Sequence, residues 1–162
     1  MTEKSQQISR SVERLAEKLV ARQAKVACAE SCTGGWIAKV MTDAVGSSAW
    51  FDRGFVTYSN QSKREMLGVQ GRTLDIHGAV SRETVIQMAE GALEASAAGF
   101  SVAVSGIAGP GGGSEEKPVG TVWLAWAGEG FTDAACEHFE GGREAVRQDT
   151  VIAALRGLLE RV

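Results

Sequence analysis

Three segments of the 162-residue chain gather side chains able to do chemistry, each at the end of an apolar run. The first is Glu30-Ser31-Cys32-Thr33-Gly34-Gly35, which follows the run Val26–Ala29 and precedes the helically spaced Trp36, Ile37, Val40, Met41 and Ala44. Ser31 and Thr33 supply hydroxyls. Gly34 and Gly35 let a ligand approach the backbone, and free N–H groups at a helix start favour an anion. N-capping by Ser31 or Thr33 with a tight glycine turn explains the same residues equally well. The second segment is Tyr58-Ser59-Asn60-Gln61-Ser62-Lys63. Lys63 falls in the first turn of a helix, where a positive charge is disfavoured. Partial burial there would lower its pKa and make it a general base; a solvated surface lysine is the ordinary alternative. The third is Ser105 with the loop Gly106-Ile-Ala-Gly-Pro-Gly-Gly-Gly-Ser-Glu-Glu-Lys-Pro118. So glycine-rich a loop is costly to order, which favours a role in covering a ligand.

The loop fits neither common nucleotide pattern. No Gly-Lys-Ser/Thr follows it, and Ser114 breaks the spacing of a G-x-G-x-x-G motif. Arg143 and Arg147 stand one turn apart on the last helical segment. They could clamp a phosphate, or be surface charges paired with Glu140 or Glu144. His77 and His138 lie far from these motifs and suggest neither a Ser-His-Asp arrangement nor a metal pair. Cys28, Cys32 and Cys136 are an odd number with no second Cys/His pair, so free thiols in a reducing compartment are expected rather than disulfides or zinc. Trp36, Trp50, Trp123 and Trp126 read as core or interface residues, and nothing selects one to stack on a ligand.

The elements that must hold these residues follow from periodicity. Ile8, Val12, Leu15 and Leu19 mark one face of a helix over about residues 6–23. Short strands are expected at 26–29, 54–58 and 101–105. Val119–Ala127 and Phe131–Phe139 flank Gly128-Glu129-Gly130 as a hairpin. Asn60 can cap a short helix ending at Gly68, Ser81 can cap a helix carrying Val85, Met88, Ala89, Ala92 and Leu93, and a last helix runs from about Gly142 to the end. The order α-β-α-β-α-α-β-β-β-α predicts an α/β fold, a three-layer α/β/α sandwich with a mixed parallel and antiparallel sheet, in a single domain over residues 1–162.

Composition narrows the function. Hydrophobic residues make up 44% and charged residues 23%, the ordinary range for a packed domain. Seventeen Lys and Arg against twenty Asp and Glu leave a net charge of −3, which argues against a dedicated nucleic-acid binder. The polar N-terminus does not read as a signal peptide, and no apolar run approaches the ~18 residues of a membrane span. A cytoplasmic protein is expected.

Five ordered motifs carry a resemblance. They are Ala29-Glu-Ser-Cys-Thr-Gly-Gly35, Tyr58-Ser-Asn60 with Lys63, Gly78-Ala-Val-Ser81, Ser105-Gly-Ile-Ala-Gly-Pro-Gly-Gly112 and Lys117-Pro-Val-Gly-Thr121. Together they make the chain, over about residues 6–160, similar to the CinA C-terminal family, the nicotinamide-nucleotide amidase domain, in its stand-alone form. The resemblance implies hydrolysis of nicotinamide mononucleotide to nicotinate mononucleotide and ammonia in pyridine-nucleotide recycling. No metal or cofactor is implied, and a homo-oligomer, with a dimer favoured, is. The family pattern places active-site residues at Ser31, Ser48, Tyr58, Lys63, Ser105 and Arg143. The expected scheme has Ser48 as nucleophile, Lys63 as its base and Tyr58 as a proton relay or donor, with Ser31 the rival nucleophile. Backbone around Gly34, Gly35, Gly106, Gly109 and Gly111 would bind oxyanion or phosphate beside Ser105, and Arg143 would hold phosphate. Two departures stand out. Relatives often carry Thr at the position of Ser105, and Gly-Asp-Arg in place of Gly141-Gly142-Arg143. The alternative is a non-catalytic pyridine-nucleotide-binding module linked to competence or the DNA-damage response. A phosphate hydrolase would need acidic metal ligands, and Asp43, Asp52 and Asp75 form no recognisable set.

Overall fold

The computed structural model describes residues 1–162. Five strands, β1 (Val26–Glu30), β2 (Phe51–Val56), β3 (Phe100–Gly106), β4 (Thr121–Gly128) and β5 (Phe131–His138), form one sheet in the order β2-β1-β3-β4-β5. The first three are parallel; β4 and β5 continue antiparallel. Helices α1 (Glu3–Ala21), α2 (Trp36–Thr42) and α6 (Arg143–Arg161) cover one face, and α3 (Asn60–Leu67), α4 (Gly71–His77) and α5 (Arg82–Glu94) the other. This is the expected three-layer sandwich with a mixed sheet. The helix α4 was not expected, and Ser59 rather than Asn60 caps α3, in a reciprocal capping box with Ser62. The strand expected at 54–58 begins earlier, at Phe51, and ends at Val56, so Thr57 and Tyr58 lie just beyond it.

Alternation along the central strands explains the unequal layers. Val102 and Val104 of β3 and Val122, Leu124 and Trp126 of β4 point toward α1 and α6, where Leu15, Leu19, Leu155 and Leu158 complete the larger core. The opposite face of the same strands is small, with Ala103, Ala125 and Ala127. That lets α5 pack close, and Ser101 Oγ donates to Ala89 O across the gap at 2.7 Å. α3 comes just as near to α5. A Cβ at Gly91 would overlap the Leu67 carbonyl oxygen at the end of α3, so only glycine allows that approach.

Register gathers the site. Glu30 of β1 pairs with Val56 on one side and Val104 on the other. One residue further along, Ser31 N–H donates to Val104 O (3.1 Å) and Thr57 N–H to Glu30 O (2.8 Å). The row after the parallel strands end therefore holds Ser31, Thr57 and Ser105. This is the carboxyl end of the parallel strands, where ligand sites form in open α/β sheets.

Candidate active site

A pocket of about 200 Å³ opens at this sheet end, lined by Ser31, Cys32, Tyr58, Lys63, Ala79, Val80, Ser105, Gly106, Ala108 and Arg143. β1 delivers Ser31, β3 delivers Ser105 and Gly106, α3 delivers Lys63, and α6 delivers Arg143. Ala79 and Val80 come from the segment between α4 and α5.

Lys63 is the unusual residue. It is 1% exposed, and its contacts are three neutral oxygens: its Nζ donates to Thr57 O (2.8 Å), Ser31 Oγ (3.1 Å) and Tyr58 O (3.3 Å). Burial without a carboxylate partner pushes its pKa below the ordinary lysine value, and the nearby Cys32 opposes this only in part. The neutral amine has two N–H bonds and one lone pair. With the two carbonyls holding the N–H groups, the lone pair is left for Ser31 O–H. Of the serine hydroxyls, then, the lysine is directed at Ser31.

Ser48 is elsewhere. It lies in the exposed 3-10 turn Ser47–Ala49, which leads through Trp50 into the start of β2. Val26 N–H donates to Trp50 O at 2.8 Å, which ties this turn to the amino end of β1. Five strand steps of ~3.3 Å separate that end from Ser31, roughly 16 Å. The expectation that Lys63 activates Ser48 is corrected on this ground: the parallel strands put the two residues at opposite ends of the sheet. The Tyr58 expectation changes as well. The residue is 63% exposed and its phenol oxygen accepts from Arg143 Nη2 (3.2 Å), while only its backbone carbonyl meets Lys63.

Gly34 and Gly35 do not line the pocket, and the helix start they introduce is already occupied. Glu30, fully buried, accepts from Ile37 N–H (2.8 Å), Ala38 N–H (3.0 Å) and Thr33 Oγ1 (2.6 Å). The chain's own carboxylate thus takes the place an external anion was expected to fill. Gly34 N–H donates back to Ser31 O at 3.1 Å, and both glycines adopt positive φ to make the turn. Gly109 and Gly111 also stand outside the lining. Gly109 reaches the site indirectly, because its carbonyl accepts from Arg143 Nη1 at 2.8 Å. Arg143 therefore bridges the glycine-rich loop and Tyr58 at the pocket mouth.

Sequence reasoning singles out neither Cys32 nor Thr57 as a site residue, and it offers Arg147 only as a phosphate partner of Arg143 or a surface charge. Arg147 donates through Nε to Cys32 O (3.0 Å) and through Nη2 to Thr33 O (3.1 Å). It does not line the pocket that Arg143 lines, and neither arginine pairs with Glu140 or Glu144. The Cys32 thiol lines the pocket, yet burial pushes its pKa up to about 11, so it is not a thiolate near neutral pH. The signal for Glu30 is an acidic residue at the end of a buried strand, three positions before Thr33, which only the folded context makes meaningful. No three His, Cys, Asp or Glu side chains cluster as a metal site would need.

The sheet, the pocket at its parallel carboxyl end and the buried lysine define an α/β domain with a serine-lysine site. The chain belongs to the CinA C-terminal domain family, whose model matches residues 8–162. It is 57% identical over 152 residues to "Nicotinamide-nucleotide amidohydrolase PncC" of Escherichia coli, covering 92% of this chain and 91% of that protein. It is 56% identical over 147 residues to the protein of the same name from Pseudomonas putida, covering 91% and 92% of the two chains. Among solved structures, the competence/damage inducible protein CihA from Agrobacterium tumefaciens superposes with a TM-score of 0.93 at 49% identity, covering 95% of this chain and 94% of that one.

Proposed function

We propose that the chain is a nicotinamide-nucleotide amidohydrolase, converting nicotinamide mononucleotide to nicotinate mononucleotide and ammonia, with Ser31 as nucleophile and Lys63 as its base. The observation that carries the mechanism is the buried, carboxylate-free Lys63 with Nζ 3.1 Å from Ser31 Oγ. The substrate follows from the names of the relatives above. The pocket suits its reacting end: about 200 Å³ is below the ~300 Å³ at which sites for whole small ligands begin, so the flat pyridine carboxamide enters while ribose and phosphate stay at the mouth beside Arg143.

Neutral Lys63 takes the Ser31 proton as Oγ bonds to the carboxamide carbon, and the carbonyl π electrons move onto oxygen. The Cys32 N–H, which donates to no backbone acceptor, is the amide following the nucleophile and is suited to receive that oxyanion. Collapse breaks the C–N bond, and the departing nitrogen takes the proton from the Lys63 ammonium and leaves as ammonia. Water then attacks the acyl-serine with Lys63 again as base, releasing the carboxylate. The same reading has the chain working in the cytoplasm as a homo-oligomer, with a dimer favoured, on a free small molecule rather than on nucleic acid or a membrane. No helix is long and apolar enough to cross a membrane.

The test is ammonia release from nicotinamide mononucleotide by the purified chain, with nicotinate mononucleotide identified as the co-product. Binding of the nucleotide without release of ammonia would instead identify a binding module.

A further inference from the structure

Arg147 does not itself line the pocket and has no acidic partner, yet it grips the segment that carries Ser31. From α6 its fork donates to two successive carbonyls, Cys32 O at 3.0 Å and Thr33 O at 3.1 Å. Its guanidinium carbon lies 5.6 Å from the centroid of the Trp36 ring, which limits its swing. A planar fork on two consecutive carbonyls fixes two peptide planes at once, which a lysine ammonium cannot do.

The consequence reaches Ser31 through the trans peptide, whose N–H points opposite its C=O. Holding Thr33 O aims Gly34 N–H the other way, and that group donates to Ser31 O at 3.1 Å. Ser31 N–H is already held by Val104 O at 3.1 Å. Both main-chain groups of Ser31 are thereby fixed, the first by the sheet and the second through Arg147. Glu30 braces the far side of the turn by accepting from Thr33 Oγ1 at 2.6 Å.

We infer that Arg147 is a positioning residue for amide hydrolysis: its grip on Cys32 O and Thr33 O holds the Ser31–Gly34 turn so that Ser31 Oγ stays on Lys63 and the Cys32 amide stays free to face the oxyanion. The inference rests on Ser31 being the nucleophile. It separates two arginines one turn apart on α6, with Arg143 facing the ligand at the mouth and Arg147 acting on the backbone behind the nucleophile.

The test measures kcat, KM and melting temperature for Arg147→Ala and Arg147→Lys, with Ser31→Ala alongside. A misplaced reacting group costs on the order of 100-fold, so Arg147→Ala should lose about that factor in kcat, with KM changed by less than about threefold. Arg147→Lys keeps the charge and the fold but should recover less than about a tenth of the lost rate, because one ammonium cannot replace the fork. Methylguanidinium added to Arg147→Ala should restore rate in a saturable way and leave the parent protein unaffected. If Arg147→Ala melts below the assay temperature, Arg147→Lys decides alone, and near-parental kcat there overturns the inference. A loss confined to KM, or a lowered melting temperature with kcat intact and no guanidinium rescue, also overturns it. If Ser31→Ala still turns over, the nucleophile assignment has failed instead; an inactive Ser31→Ala beside a normal Arg147→Ala sinks the role of Arg147 alone.

Discussion

The two ends of the parallel strands each carry a serine, buried at one end and exposed at the other, and only the buried one has a partner. At the carboxyl end, Ser31 follows β1, Thr57 follows β2 and Ser105 is the next-to-last residue of β3, all in one register row, and α3 brings Lys63 onto Ser31 and the Thr57 carbonyl. At the amino end, Ser48 stands on an exposed turn bonded to the start of β1, with no lysine, arginine or buried acid directed at it. Residue type is the same at both ends; surroundings differ. A serine hydroxyl is a poor nucleophile by itself and acquires reactivity from a base within hydrogen-bond reach. The parallel crossover provides one for Ser31, even though Ser48 is the nearer of the two to Lys63 along the chain.

The sharpest break of this comparison is to remove each serine. Ser31→Ala should lower kcat by at least about 10³-fold while calorimetry still detects nucleotide binding. Ser48→Ala should stay within about twofold, as expected for an exposed position. The reverse pattern would return the chemistry to the amino end of the sheet.

Lys63 comes next. Lys63→Ala should be nearly as damaging as Ser31→Ala, and Lys63→Arg no better, since guanidinium stays charged and accepts no proton. In the parent protein burial favours the neutral amine, so Lys63 loses its proton at a lower pH than a free lysine. Activity should rise with pH through that midpoint, below 10.5, and fall on the acid side as the ammonium forms. A kcat/KM profile with no acid limb attributable to Lys63 would remove it as the base.

A smaller effect is expected at the mouth. Arg143→Ala should weaken the preference for nicotinamide mononucleotide over nicotinamide riboside by about 10- to 100-fold, the worth of a charge-assisted contact to phosphate. An unchanged ratio of specificity constants would place the phosphate elsewhere. The least effect is expected from Cys32→Ala. With the thiol pushed up to about 11, alkylating reagents at neutral pH should leave Cys32 of the folded protein unmodified, and the variant should keep activity within a fewfold. Loss of turnover matching that of Ser31→Ala would make the neighbouring thiol, not the serine, the reactive group.

Much of this was legible without coordinates, and the misses have physical causes. Apolar runs and glycine punctuation marked the strands, because a sheet covered on both faces demands continuous burial, as in Val26–Glu30. The pocket members Ser31, Tyr58, Lys63, Ser105, Gly106 and Arg143 were all singled out. The pairing of Ser31 with Lys63 over 32 positions was not, because register between parallel strands is set by the crossovers and leaves no local mark. Gly34 and Gly35 suggested an anion site, since nothing in the local pattern reveals that Glu30 folds back to occupy the α2 amides. Arg147 looked like a twin of Arg143, and only its hydrogen bonds to Cys32 and Thr33 separate the two.

The absence of a side chain at Gly91 has a consequence for how this catalyst can be altered. Leu67, whose carbonyl rests against Gly91, lies one helical turn beyond Lys63 on α3. Position 91 therefore acts as a spacer: each methyl group added there must push α3 outward and carry the lysine away from its serine. Turnover can be throttled in this way from the middle of a neighbouring helix, with every residue of the pocket left unchanged. Gradual changes in activity during evolution or engineering are accordingly to be sought at the seam between α3 and α5, as well as around the ligand.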